Sequence, residues 1–368
     1  MKTNLLFLIL AFFFGNVILK SQQSILVMNS TAKTVAQLNA ADGSVINSGF
    51  INLTSLSAGT IKGIVQVQDK IWISDQTNNR IYTFALDGTY VSTIPSTVGL
   101  SNIRGLNVVN NEVWVTNAGS ANGAIANSVR RLDFAGNSLG AYNTIADPFD
   151  AIDNGAGKAY ITSFGSSGIQ MMNYDGTVAG NLVDAGILSG IEQINKTSAG
   201  NYVLAVFSSN AASGNTSGLY VISPTGNILN KWNNVTGLRG AIQTSNGNYL
   251  CSNSNGVQKV DAATGASTQI IAGNYQYFTL INGNLAVDNI AAKYVSVFPN
   301  PTTDYINVET ESKINTVQLF SASGQLVKQF KNINESKTKL NLHDLPVNVY
   351  ILKVDTQQGV KTLKVIKK

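Results

Sequence analysis

The chain of 368 residues contains one cysteine, one histidine, six prolines and only 12% charged residues. A single cysteine excludes any intrachain disulfide, and Cys251 lies in the apolar-rich run Tyr249-Leu-Cys-Ser, where a thiol packs as a small hydrophobe. The single histidine, His343, stands near the C-terminus in Asn-Leu-His-Asp and reads as a surface loop residue. The body of the chain therefore lacks imidazole altogether, which excludes Ser-His-Asp and Cys-His catalysis and any histidine-built zinc or iron site there. Walker A loops, dinucleotide fingerprints and EF-hand loops are also missing. The scarcity of charge argues against long solvated helices and coiled coils. With 33 glycines, 44% hydrophobic residues and frequent Asn, Ser and Thr, the composition is that of a turn-rich all-β protein.

The formal net charge of +5 suggests nucleic-acid binding only until it is divided by segment. Lys2 and Lys20 lie at the N-terminus, and residues 293–368 hold eleven lysines against six acids, leaving 12 basic and 14 acidic residues between. A slightly acidic body carries no argument for phosphate binding, so no nucleic-acid partner is expected. Residues 1–21 read as a secretory signal: Lys2, the apolar run Leu5–Phe14, then small or polar residues, with cleavage expected near Ser21. Gly15 and Asn16 break that run short of the roughly 20 apolar residues a span needs. No later stretch is long and apolar enough, so no transmembrane segment is expected in the mature protein.

Between the ends a unit recurs, made of four short strands with a glycine turn before the fourth. The apolar anchor of the second strand falls at Leu26, Trp72, Trp114, Tyr160, Tyr202 and Tyr249, at intervals of 42 to 47 residues. Turn glycines at Gly43, Gly88, Gly136, Gly176, Gly226 and Gly265 keep an independent register of 39 to 50. Periods of 40–50 residues with four strands each predict a six-bladed β-propeller over residues 22–290. The first unit lacks an inner strand and Tyr277–Ile281 stands unpartnered after the sixth, so that late strand is expected to close the ring in the first blade. The runs Ile-Trp-Ile-Ser-Asp at 71–75, Asn-Asn-Arg-Ile-Tyr at 78–82 and the Asp-Gly turns resemble NHL-type propellers and the strictosidine-synthase-like and gluconolactonase-like group.

Residues 291–368 differ in composition and open on Phe298-Pro-Asn-Pro-Thr. Strand-like runs follow at 305–309, 316–320, 325–330, 349–354 and 360–366, a small β-sandwich pattern. The opening, the Ser321-Ala-Ser-Gly-Gln-Leu-Val turn, the Leu345-Pro-x-x-x-Tyr-x-Leu-Lys-Val strand and the Lys-Val-Ile-Lys-Lys end resemble the type A C-terminal sorting domain of the type IX secretion system. The resemblance implies export across the outer membrane of a Gram-negative bacterium, with the type IX machinery as partner, and release or attachment at the cell surface. Asn348 stands where that family usually has glycine, and asparagine tolerates the positive φ such a turn would require.

Candidate site residues lie where inner strands begin, since these positions point to a propeller's central funnel. The repeat aligns Lys62-Gly63, Arg104-Gly105, Phe149-Asp150, Ser189-Gly190, Arg239-Gly240 and Gln276-Tyr277. Lys62, Arg104 and Arg239 in one column would focus positive potential on an anionic ligand such as a uronate, or else pair with Asp150, Glu192 or carbonyls and merely solvate the opening. Gluconolactonase-like relatives bind a divalent cation near the axis, which makes Asp150, Glu192, Asn117 and Asn253 candidate Ca²⁺ ligands here, although nearby cations oppose a metal. Trp72, Trp114 and Tyr160 recur with the strands and read as core, whereas Trp232 and Tyr275 fall outside the register and are candidate exposed aromatics. Three functions stay open: a surface or secreted recognition module for a glycan, peptide or small anion without cofactor, a Ca²⁺-dependent lactonase or ester hydrolase, and a structural surface protein.

Overall fold

The computed structural model describes residues 23–282 except 167, and 295–368 except 322–324 and 357–358. The expected signal segment and its cleavage point lie outside the described residues, as does the centre of the Ser321–Gly324 turn. The chain divides into two compact units, Met1–Asn284 and Leu285–Lys368.

In the first unit the described residues form six four-stranded antiparallel sheets. Five are sequential: 61–94, 103–143, 148–183, 189–232 and 240–272. The remaining sheet joins both ends of the unit, because Tyr275–Asn282 pairs with Gln23–Asn29 in the register Leu26↔Thr279 and Val27↔Phe278. We number it blade one and the others two to six in chain order. Each inner strand packs beside the next and the sixth packs beside the first, so the sheets form a closed ring, a β-propeller. Closure pairs the late strand, as the unpartnered Tyr277–Ile281 run predicts, and hides an otherwise exposed sheet edge.

The anchors Leu26, Trp72, Trp114, Tyr160, Tyr202 and Tyr249 are all buried, since apolar alternation on both faces of every sheet is covered by neighbouring blades. The turn glycines hold φ between 74° and 90°, a left-handed conformation that side chains resist. In blade three, Gly136 donates its N–H to Asp133 and tucks against Ile94 of the preceding blade. Cys251 is fully buried, and burial pushes its thiol up to about 12.

The second unit is a sandwich of a three-stranded sheet (Val295–Phe298, Tyr305–Thr310, Lys337–Asn341) and a four-stranded sheet (Leu326–Lys331, Ile314–Ser321, Asn348–Thr356, Gly359–Lys367). Ile306, Val308, Val317, Leu319, Leu340, Leu352 and Val354 fill its core. Lys337–Asn341 escapes sequence reading because alternate lysines mask a strand whose buried contribution is chiefly Leu340. Asn348 adopts no left-handed conformation: it starts a strand opposite Lys367, so the substitution for glycine needs no positive φ here. His343 is an exposed loop residue, its Nδ1 2.9 Å from Asp304 Oδ1.

Candidate functional site

Five inner strands carry an irregularity near their start while Gly240–Gln243 pairs regularly, and the pairing beyond it fixes which residues correspond. Ile64 faces Ile73, Leu106 faces Val115, Ala151 faces Ile161, Ile194 faces Leu204, Ala241 faces Cys251 and Phe278 faces Val27. The residues two places earlier, Lys62, Arg104, Phe149, Glu192, Arg239 and Gln276, therefore form one column around the axis. This corrects the sequence alignment in blade five by three residues: Glu192-Gln193 occupies the place expected for Ser189-Gly190. An acid completes a column that reads from sequence as three cations.

The adjacent column is Gly63, Gly105, Asp150, Gln193, Gly240 and Tyr277. Glycine here reflects close backbone approach: a Cβ on Gly63 would meet the Arg104 carbonyl, one on Gly105 the Asp150 carboxyl, and one on Gly240 the Gln276 carbonyl. The glycines let neighbouring inner strands approach closely, and the large polar residues of the column, Asp150, Gln193 and Tyr277, are all buried. Gln193 accepts from the N–H groups of Ala241 and Phe278 and donates to the Phe278 carbonyl. Tyr277, fully buried, points its hydroxyl toward the Phe149 carbonyl of the opposite blade at 3.5 Å, and burial holds its pKa well above the ordinary value.

The cations are paired unequally. Lys62, buried, reaches across the ring from blade two to Glu192 of blade five at 2.6 Å. Burial lowers the Lys62 pKa, and the Glu192 charge opposes that shift. Arg104 meets Asp147 at 2.6 Å, donates to the Pro148 carbonyl and lies 3.8 Å above the Phe149 ring. Arg239, 27% exposed, has only a 3.6 Å contact with the same Glu192 that serves Lys62, and lies over Phe207. Three cations thus face two carboxylates, and the surplus falls on Arg239. The Nε atoms of Arg104 and Arg239 and the Oε1 of Gln276 are buried without a hydrogen-bond partner among the described residues.

Beside Arg239, blades one, two and six frame a cleft of about 410 Å³, within the ~300–1,000 Å³ range of small-ligand sites. Lys33, Lys62 and Arg239 line it together with the carboxamides of Gln76, Asn274 and Gln276 and the hydroxyl residues Ser30, Thr31 and Thr60. Neither an acid nor an aromatic residue is among the lining residues. From Phe149 under Arg104 to Phe207 under Arg239, Phe149, Phe164 and Phe207 form an arc, stacked at 5.1 Å and then tilted at 5.6 Å. Phe164 and Phe207 escape sequence reading because they lie at the outer ends of second strands, beyond the anchor register. Neither aromatic expected to be exposed is fully so: Tyr275 is buried, and Trp232 is half-buried, packed on Tyr249 and Gly265.

The four residues considered for Ca²⁺ have separate tasks. Asp150 is buried, with its oxygens taking donors from Ala151 N, Ile194 N and Asn107 Nδ2. Burial raises its pKa to about 8 against those donors, so at neutral pH it is mostly a neutral acid, a poor ligand for a hard cation. Glu192 is held by Lys62 and Arg239. Asn117 accepts from Ser101 N and donates to the Gly119 and Ile125 carbonyls. Asn253 accepts from Asn255 N and Gly256 N and donates to the Thr236 carbonyl. These two belong to a loop-tying column at the ends of second strands that also contains Asp75, Ser163 and Asn29. No group of three or more His, Cys, Asp or Glu side chains is arranged to hold a metal among the described residues.

The architecture defines a β-propeller followed by a β-sandwich tail. Residues 296–368 match the family described as the secretion system C-terminal sorting domain. The chain is thus a substrate of type IX secretion, delivered to the cell surface or released. The propeller is similar in fold to a chain of the nidogen/laminin complex (TM-score 0.58, 13% identity, 71% of this chain and 99% of that one covered). It is also similar to a protein of unknown function from Bacteroides caccae (TM-score 0.50, 12% identity, 71% and 99% covered). A putative 6-phosphogluconolactonase from Bacteroides fragilis has the same TM-score of 0.50, at 14% identity with 71% and 98% covered. At such identities the likeness concerns fold alone. No curated protein sequence matches the chain. Among the described residues no helix is long and apolar enough to cross a membrane.

Proposed function

We propose that the propeller is a recognition module that binds a small anionic ligand at the mouth of its axis, exported by the type IX machinery through residues 291–368. The observation that carries this reading is the cation surplus at Arg239 on the rim of a donor-rich cleft. A partly exposed guanidinium with a shared, long-range counterion is available to a carboxylate without dismantling the fold, whereas Lys62 and Arg104 are committed to short ion pairs. Binding is favoured over hydrolysis because Asp150 is sealed and Glu192 is neutralised, which leaves the mouth without a free carboxylate to act as base or metal ligand. The putative lactonase name of one structural neighbour adds nothing to the contrary, being a likeness of fold.

The test is a screen of the purified full-length chain against carboxylated, sulfated and neutral glycans, acidic peptides and small carboxylates, repeated with Arg239→Gln. Binding confined to anions and weakened about tenfold or more by Arg239→Gln is the expected result, the scale of a hydrogen bond to a charged group. Neutral and anionic ligands binding alike, or no binding at all, would contradict it.

A further inference from the structure

We propose that the ligand of this cleft is a polyhydroxylated carboxylate, a sugar acid such as a hexuronate residue. The proposal rests on the reading of the mouth as an anion site and specifies the ligand class. Arg239 and Lys33 supply positive charge along the lining, which calls for an anion, and a carboxylate matches the guanidinium fork. Charge alone would suit any acid. The second requirement comes from acceptors: Gln276, 3% exposed, lines the cleft with its Oε1 unpartnered, and Asn274 Oδ1 in the same lining is also buried without a partner. A buried polar atom left unpaired is costly, so each of these carbonyls calls for a donor. A carboxylate has no donor to offer them; hydroxyl groups on the same ligand do. The serine and threonine hydroxyls of the lining can donate or accept and fit a ring of alternating hydroxyls in the same way.

The lining also discriminates against other anions. With no aromatic or large aliphatic side chain it offers nothing to an aromatic acid, a fatty acid or the apolar side chains of a peptide. With no acid in the lining, the ammonium of a free amino acid finds no partner of opposite charge. A sugar acid satisfies the cations and the orphaned carbonyls together. It could arrive as a free monosaccharide or as a residue within an acidic glycan, and the chemistry at the cleft is the same.

The experiment is isothermal titration calorimetry on the full-length protein with four probes: galacturonate, tetragalacturonate, methyl galactoside and succinate. Galacturonate or its tetramer is expected to bind at least tenfold more tightly than both the neutral sugar and the unhydroxylated acid. Gln276→Leu, of similar size but without the amide, is expected to weaken uronate binding tenfold or more while leaving succinate binding within about twofold. A tetramer that binds more tightly than the monomer points to a glycan, and equal affinities point to a free sugar acid; both support the proposal. Succinate binding as tightly as uronate in the wild-type protein would overturn the sugar-acid class and leave the anion site standing, a result that needs no variant to fold. Failure of all three acids to bind would overturn both.

Discussion

Two rings of residues run around this propeller a few ångströms apart, and they behave differently. At the second strands the same solution repeats. Ser74, Thr116, Thr162 and Ser252 each use one hydroxyl to tie their blade to the backbone of the next inner strand, reaching the carbonyls of Arg104, Phe149, Glu192 and Gln276. Just beyond, Asp75, Asn117, Ser163, Asn253 and Asn29 tie down the loops around the mouth. At the inner strands the column of Lys62 keeps no common residue type: lysine, arginine, phenylalanine, glutamate, arginine and glutamine occupy equivalent places. Repetition marks positions whose task is identical in every blade, which is to hold the ring. Departure marks positions whose task is set by what lies on the axis. Blade five shows the exchange between the two, because Ala205 replaces the tying hydroxyl there and Gln193 takes over the bridging role.

This contrast can be broken or sharpened by substitution. The largest effect is expected from Glu192→Gln, which leaves Lys62 buried without a counter-charge; a loss of about 3–5 kcal/mol in chemical denaturation is predicted. Lys62→Met combined with Glu192→Leu should recover most of it, since a buried ion pair and an apolar pair of similar volume are often equivalent. A double variant as unstable as the single one would mean that Glu192 serves mainly Arg239.

A comparable effect is expected from Asp150, through pH. Its native pKa of about 8 lies above its ordinary 3.8, so the folded state holds a proton that the unfolded chain releases. Its contribution to stability is complete below about pH 4, falls as pH rises from about 4 to about 8 by at most about 1.4 kcal/mol per pH unit, and then levels. Asp150→Asn should flatten that slope in urea denaturation measured across the range. An unchanged slope would assign it to another group.

In the repeating ring, Asn117→Ala strands the Ser101 N–H and two loop carbonyls, and a loss of about 1–3 kcal/mol is expected without change at the cleft. The smallest stability effect is expected from Arg239→Gln, under about 1 kcal/mol, because its ion pair is long and partly solvated.

The repeating ring was largely legible in the sequence and the axis was not, for the same reason. Anchors such as Trp72 and Trp114 and turn glycines such as Gly88 and Gly136 recur because every blade needs them, so spacing alone exposes them and the ring closure that follows. The axis departs from the repeat, and spacing then misleads. Gly190 imitates Gly63 and Gly105, drawing the alignment of blade five to Ser189-Gly190, yet the irregularity between Ile191 and Ile194 places Glu192 and Gln193 on the axis. That shift hides Glu192's place within the basic column itself, although the sequence already offers it as a pairing partner. Asn117 and Asn253 are oxygen-bearing residues at the mouth, and residue type cannot separate a metal ligand from a loop tie until partners are seen. Trp232 misleads in the opposite sense: its place outside the anchor register suggests exposure, but it packs on Tyr249 and Gly265 and is half-buried.

The most direct test of the account is to measure ligand affinity and thermal stability together for wild type, Arg239→Gln and Asn117→Ala, with galacturonate oligomers as the probe. The account predicts that Arg239→Gln loses affinity about tenfold or more with the melting temperature nearly unchanged, while Asn117→Ala melts earlier and binds as wild type does. Affinity and stability falling together in both variants, or affinity untouched in Arg239→Gln, would contradict the assignment of the axis to recognition and of the repeating ring to the scaffold.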